Sequence, residues 1–330
     1  MIERTAAPER VFVFLMLVFA GIFLANLGGW DLWNPDEPRY GQIAREMMES
    51  GHYIVPHLNA EPYPDKPPLF FWLVALASKP FGDVNAFSAR LPVAVAALGV
   101  ILFTYLLGKR LFDPLTALLA ALILFTSEEF FTVSISVHFD TILALWTTAS
   151  LFFFYEGYTK PSGGKTRYVL SYICMGLGLL TKGPVGLCVP LLTILFFLLI
   201  KKEIRTVKRI ALGRGMLIAV GMLALWLVPA CLLGGESYRQ NILFEQTFGR
   251  VVESYSHQNP FYYYLMEFPL DFFPWSLFIP SACIYFWRNR SRQLHILFPL
   301  VWFAGTFLFF SGISGKRSLY LLPLHPAAAL

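Results

Sequence analysis

The sequence predicts an all-α protein that crosses a membrane many times. Of its 330 residues, 56% are hydrophobic and only 14% are charged, against about a quarter charged in a typical soluble domain. Apolar runs long enough to cross a bilayer recur along the whole chain. Backbone polar groups at bilayer depth must be paired within the protein, which leaves helices or a closed β-barrel. A barrel needs short segments of alternating apolar and polar residues, and runs such as Leu191 to Ile200 do not alternate.

Taken in order, the candidate spans are 11–28, 86–107, 113–127, 133–155, 168–181, 184–200, 212–233, 266–287, 295–311 and 317–330, or about ten helices by hydropathy. The first run, Val11 to Leu27, has a charged leader but no small-residue cleavage site, so it reads as a retained helix. The last run stops at Leu330 with no polar tail, and the sequence is expected to be part of a longer protein. No repeat of fixed period and no low-complexity segment interrupts the series.

The stretch 29–85 carries structure of its own. Tyr40, Ile43, Ala44, Met47 and Met48 recur at helical spacing with Arg39, Gln42, Arg45, Glu46 and Glu49 between them. That pattern predicts an amphipathic helix on the membrane surface. Asn34 is the expected N-cap, with Pro35 at the first helical position, Glu37 three residues after the cap and Gly51 as the stop. A second short helix is expected from Pro67-Pro68 along Leu69 to Ser78.

The net charge is +5, and its placement says more than its size. Basic residues gather at Lys109-Arg110, Lys160 to Arg167, Lys201 to Arg214 and Arg288 to Arg292. These short loops belong in the cytoplasm, and no aromatic-basic surface accompanies them, so they do not read as a nucleic-acid site. The N-terminus is then inside, and 29–85, 128–132, 181–184, 234–265 and 312–316 face the other way. Cys174, Cys188, Cys231 and Cys283 lie in apolar runs without metal-ligand spacing and read as small hydrophobes.

This topology puts Asp36, Glu37, Glu61, Asp65 and Lys66 on one face with His138, Asp140, Lys182, Glu245, Arg250, His257, Lys316, Arg317 and Tyr320. Each has a plain alternative. Asp36 offsets a helix dipole, the lysines snorkel, Tyr262 to Tyr264 form an interfacial belt, His257 is a structural surface histidine and Glu128-Glu129 is a solvated turn. Yet cations on the outer face run against the topology rule, and an anionic ligand held there accounts for them.

Trp33-Asn34-Pro35-Asp36-Glu37-Pro38-Arg39-Tyr40 and Asp65-Lys66-Pro67-Pro68-Leu69 resemble the first outer loop of the dolichyl-phosphate-mannose–protein mannosyltransferase superfamily. His138-Phe139-Asp140, Leu180 to Pro184, His257 to Tyr264, Phe273 to Ser276 and Ser314 to Pro323 follow in the same order. Within the superfamily the chain is most similar to the bacterial branch that contains the lipid A aminoarabinose transferase. The resemblance implies a GT-C fold and an inverting transferase. It implies a polyprenyl-phosphate sugar as donor, a site on the periplasmic face of the inner membrane, and further helices and a C-terminal domain beyond this sequence. Relatives in that branch often carry a histidine near Glu245-Gln246, which this sequence lacks.

The mechanism expected on that basis gives Asp36 the role of general base, with Glu37 supporting it or positioning the acceptor hydroxyl. Lys66, Arg250, Lys316 and Tyr320 are expected to clamp the departing phosphate, with Lys182 and Asp140 shaping the site. Asp65, Glu245 and His257 are the candidate ligands of a divalent ion. The acceptor is lipid A, another glycan or protein. Two rivals are a secondary transporter and a non-catalytic assembly factor. A transporter calls for midplane charges or two matching halves, which the sequence does not display, and an assembly factor gives no reason for the outer carboxylates and cations to coexist.

Overall fold

The computed structural model describes residues 2–33, 35–160, 164–244, 259–289 and 295–330, and its elements are mostly helices. In chain order the principal helices are α1 (Ile2–Ala25), α2 (Asp36–Ser50), α3 (Leu69–Ser78), α4 (Ala86–Leu111), α5 (Pro114–Phe125), α6 (Glu128–Ser134) and α7 (Phe139–Thr159). There follow α8 (Lys165–Lys182), α9 (Val185–Ile200), α10 (Leu212–Leu233), α11 (Tyr263–Asp271), α12 (Ile279–Asn289) and α13 (Leu297–Ser311).

Among the described residues, three helices are long and apolar enough to cross a membrane: Ala7–Ala25, Ala86–Leu111 and Leu212–Leu233. A fourth arises if α5 and α6, bent by 67° at their junction, count as one span. The expected run 133–155 divides into the end of α6 and most of α7, which continues to Thr159. The run 266–287 breaks into α11, a 3-10 turn Trp275–Phe278 and α12. The run 317–330 is not one helix either. It is a 3-10 segment Ser318–Leu324 followed by His325–Ala329, with Pro323 and Pro326 removing backbone donors from the turn.

Core packing runs through α4, α7 and α8, with α10 against α8 and α9 against α13. Phe12 stacks on Tyr105 and Phe19 on Phe125, which fastens α1 to α4 and α5. At one end of this bundle the first three basic loops meet, with Arg209 donating to the Lys160 carbonyl, and residues 290–292 of the fourth lie outside the described residues. Buried Glu156 on α7 pairs with Arg110, Lys160 and Arg167, and Lys109 pairs with Glu9 at 2.5 Å.

The opposite end carries the 29–85 segment. The helix α2 begins at Asp36, directly after Pro35, and ends where Gly51 takes the left-handed conformation (φ 72°) and returns its N–H to the Met47 carbonyl. Asn34 lies outside the described residues. The apolar face of α2 meets protein rather than a membrane surface: Tyr40, Ile43 and Met47 pack with Phe70, Phe71, Val74 and Phe139. Strands β1 (His57–Leu58) and β2 (Glu61–Pro62) pair antiparallel, with His57 opposite Pro62. Glu46 receives the N–H groups of Asn59 and Ala60 at their turn. Trp72 and Trp226 donate their indole N–H groups to the carbonyls of Tyr53 and Ile54, both at 2.7 Å, so the loop is tied to α3 and α10.

Candidate functional site

Five separate stretches of chain converge at this end: the start of α2, the segment before α3, the start of α7, the end of α8 and the 3-10 segment after α13. Asp36 is buried in the first turn of α2. Its Oδ2 accepts from both terminal nitrogens of Arg317, at 3.2 and 3.1 Å, and its Oδ1 accepts from Arg39 at 3.4 Å. Asp140 is buried in the first turn of α7 and accepts from Lys182 Nζ at 2.5 Å. The same ammonium lies 4.1 Å from the centre of the Tyr320 ring, a cation–π contact. Asp140, Lys182 and Tyr320, all expected site residues, therefore form one group.

Tyr40 lies within the electrostatic reach of both carboxylates. Burial, and then the charges of Asp36, Tyr63 and Asp140, push its phenol far above the ordinary tyrosine value, so it stays protonated. Tyr63 donates to Asp65 Oδ2 at 3.2 Å, and Lys66 Nζ sits 3.2 Å from the Asp65 carbonyl and 3.8 Å from its carboxylate. The expected pair Asp65 and Lys66 thus lies at the edge of the site.

Glu37 is placed differently from Asp36. Its carboxylate accepts from Arg90 Nε at 3.0 Å, Arg90 Nη2 at 2.8 Å, and the backbone N–H groups of Trp33 and Val137, each at 2.8 Å. Burial would raise its pKa, but these donors together hold the carboxyl below its ordinary range. All its acceptor positions are filled, so support of Asp36 is the expected role that its partners fit, and contact with an acceptor is not.

Lys316 is also turned inward. It is buried, and its Nζ donates to the carbonyls of Ile313 at 2.5 Å and Asn259 at 2.9 Å. Burial lowers its pKa. Its neighbour Arg317 is the cation that reaches the site. Glu129 is buried rather than solvated, unlike exposed Glu128. Glu245, Arg250 and His257 lie outside the described residues. Of the three candidate metal ligands only Asp65 is described, and among the described residues no group of three His, Cys, Asp or Glu side chains is placed to hold a metal ion.

Arg39, Arg90 and Arg317 are the residues that sequence reasoning left out of the site. Arg90 had a signal: an arginine in the second turn of a long apolar helix is costly unless it is paired, and so marks a place of consequence. Arg317 stood inside a stretch already singled out, beside the lysine that was chosen instead.

A helical membrane protein with alternating buried carboxylates and cations at one end of its bundle is what these observations define. The profile of the family described as dolichyl-phosphate-mannose-protein mannosyltransferase matches residues 10–239, and the chain belongs to that family. The chain is 31% identical to an undecaprenyl phosphate-alpha-4-amino-4-deoxy-L-arabinose arabinosyl transferase of Proteus mirabilis, over 96% of its own length and 58% of the relative's. An uncharacterized protein of Aquifex aeolicus is also 31% identical, over 97% of this chain and 63% of that one. This chain therefore spans about three fifths of the length of these curated relatives. Among solved structures, ArnT from Cupriavidus metallidurans bound to undecaprenyl phosphate superposes with a TM-score of 0.87 at 25% identity, covering 96% of this chain and 58% of that one. The oligosaccharyltransferase of Archaeoglobus fulgidus matches at a TM-score of 0.61 and 15% identity, a likeness of GT-C fold alone.

Proposed function

We propose that this chain is the catalytic membrane portion of a glycosyltransferase that moves a sugar from a polyprenyl monophosphate to a hydroxyl acceptor. The observation that carries the reading is the meeting of Asp36–Arg317 with Asp140–Lys182–Tyr320 at the bundle end opposite the basic loops. By the positive-inside rule that end faces the periplasm, with the helices in the inner membrane in about ten spans. The names of the relatives support an undecaprenyl-phosphate-linked aminoarabinose as donor, and lipid A is the acceptor that the resemblance of the sequence implies.

In the reaction, Asp36 accepts the acceptor's proton as its oxygen attacks the anomeric carbon from the face opposite the phosphate. The new C–O bond forms as the bond to phosphate breaks, and configuration inverts. The polyprenyl phosphate leaves as an anion and needs positive charge more than a proton. Arg317, Lys182 and Lys66 supply that charge, with Arg250 assigned to the same clamp, while Tyr320 and Asp140 orient Lys182. Lys316 acts one step back, fixing the backbone that carries Arg317. Asp65, Glu245 and His257 would hold the expected divalent ion, which would add positive charge to the site.

The family description favours one second reading, a protein acceptor. Mass spectrometry of membrane glycolipids and of glycoproteins from cells with and without the intact gene separates the two. Loss of a sugar from lipid A alone is expected. Loss of a sugar from protein with lipid A unchanged favours the second reading, and no change in either contradicts both.

A further inference from the structure

We propose that Arg90 and Glu37 form a positioning junction that sets the Asp36-bearing helix in register with the Asp140-bearing one. The proposal rests on the reading of Asp36 as the base. Arg90 sits on α4 and is completely buried. A guanidinium has five N–H donors, and all five are placed. Nε and Nη2 meet the two oxygens of Glu37 at 3.0 and 2.8 Å. Nη1 donates to the carbonyls of Leu27 at 2.7 Å and Trp30 at 2.9 Å, and Nη2 to that of Asp31 at 3.0 Å. The Trp30 ring covers the guanidinium at 4.6 Å.

Glu37 completes the network. Its two remaining lone-pair positions take the N–H of Trp33, just ahead of α2, and the N–H of Val137, three residues before Asp140. One ion pair thus fastens the rigid α4 to the chain leaving α1, to the first turn of α2 and to the start of α7. Asp36 and Asp140 are each within three residues of an atom bound to Glu37. No donor or acceptor of the pair is left for a substrate, so the pair positions and does not touch the reacting atoms. Catalytic groups must be held to within a fraction of an ångström, and a closed, fully satisfied network on helix ends does this. Lysine does not replace arginine here, because a point ammonium lacks the planar fork that meets carboxylate and carbonyls together.

The test uses the full-length protein in lipid nanodiscs, comparing wild type with Arg90→Lys, Glu37→Gln and Asp36→Asn. Turnover is normalised to sites that bind labelled undecaprenyl phosphate, so unfolded protein does not count. Hydrogen exchange is followed over 33–40, 134–142 and 185–200. Expected for Arg90→Lys and Glu37→Gln are kcat per site down at least about tenfold, KM for donor within about twofold, and faster exchange at 33–40 and 134–142 with 185–200 unchanged. Wild-type kcat per site in Glu37→Gln, with Asp36→Asn inactive, overturns the junction and leaves the base in place. Wild-type turnover in Asp36→Asn removes the base reading instead. If Arg90→Lys binds no donor, Glu37→Gln decides, because it leaves the three carbonyl bonds of Arg90 available. If Glu37→Gln also binds none, or if exchange rises equally in all three segments, the pair is a general fold support and the proposal falls.

Discussion

Arg317 grips Asp36 with both terminal guanidinium nitrogens, at 3.1 and 3.2 Å from one carboxylate oxygen, across 281 residues of sequence. The contact joins the first outer segment to the chain following α13. It also places a half-exposed cation beside the proposed base, where the leaving phosphate needs charge.

Removing that cation should therefore hurt catalysis more than folding. Arg317→Met is expected to raise the barrier reported by kcat/KM by about 1.5–3 kcal/mol, the scale of a hydrogen bond to a charged group. Arg317→Lys should recover only part of this, for want of the fork. Steady-state transfer with labelled donor measures both. Full activity in Arg317→Met would leave the contact as a mere tether.

Lys182 and Asp140 should behave as a buried pair, with side chains 13% and 6% exposed. Breaking one side strands a charge, so Lys182→Met is expected to destabilise the protein by about 3–5 kcal/mol. Lys182→Met with Asp140→Asn should be markedly milder than Lys182→Met alone. Thermal melting in one detergent compares them, and additive losses would count against the pairing.

Glu37 supplies a pH dependence of known sign. Its folded pKa lies below the ordinary 4.5. A lowered carboxylate pKa stabilises the folded state at pH above the unfolded value, and that contribution fades as pH falls through the folded one. The melting-temperature gap between wild type and Glu37→Gln should be constant above about pH 5.5 and shrink progressively below pH 4.5. A gap that widens on acidification would reverse the assignment.

Sidedness has its own test. Single cysteines at exposed Glu61 and exposed Lys202 lie at opposite ends of the bundle by the reading above. An impermeant maleimide should label the first and spare the second in intact spheroplasts. The opposite pattern would put the candidate site in the cytoplasm.

Local signals proved readable. The Gly51 stop, the helix Leu69–Ser78 and the breaks near the basic loops follow from φ preference, hydropathy and charge placed within a few residues. Topology put Asp140 and Lys182 on the same face, and their direct pairing is seen only in the folded chain. The rest depended on distance. Nothing near Arg90 in the sequence says that its partner is Glu37, because the pair forms only when α4 crosses the start of α2. The apolar face of α2 has the same periodicity whether it meets lipid or Phe70 and Phe139. The runs 266–287 and 317–330 are apolar enough for spans, but they are broken into short helices and 3-10 turns near Pro274, Pro323 and Pro326. Choosing Lys316 over Arg317 turned on which side chain faces the backbone, and that is set by the turn after α13.

In the proposed reaction Asp36 accepts the acceptor's proton, and Asp36→Asn removes that basicity. The change keeps size and leaves an oxygen for Arg317, and asparagine serves a helix N-terminus about as well as aspartate. Single-turnover transfer from a labelled polyprenyl-phosphate sugar, with donor binding measured on the same sample, separates chemistry from structure. Expected is a rate at least about 10²-fold lower with donor affinity nearly intact, in keeping with loss of a general base. Near-normal turnover in Asp36→Asn would contradict this role and leave Asp36 as a structural partner of Arg317.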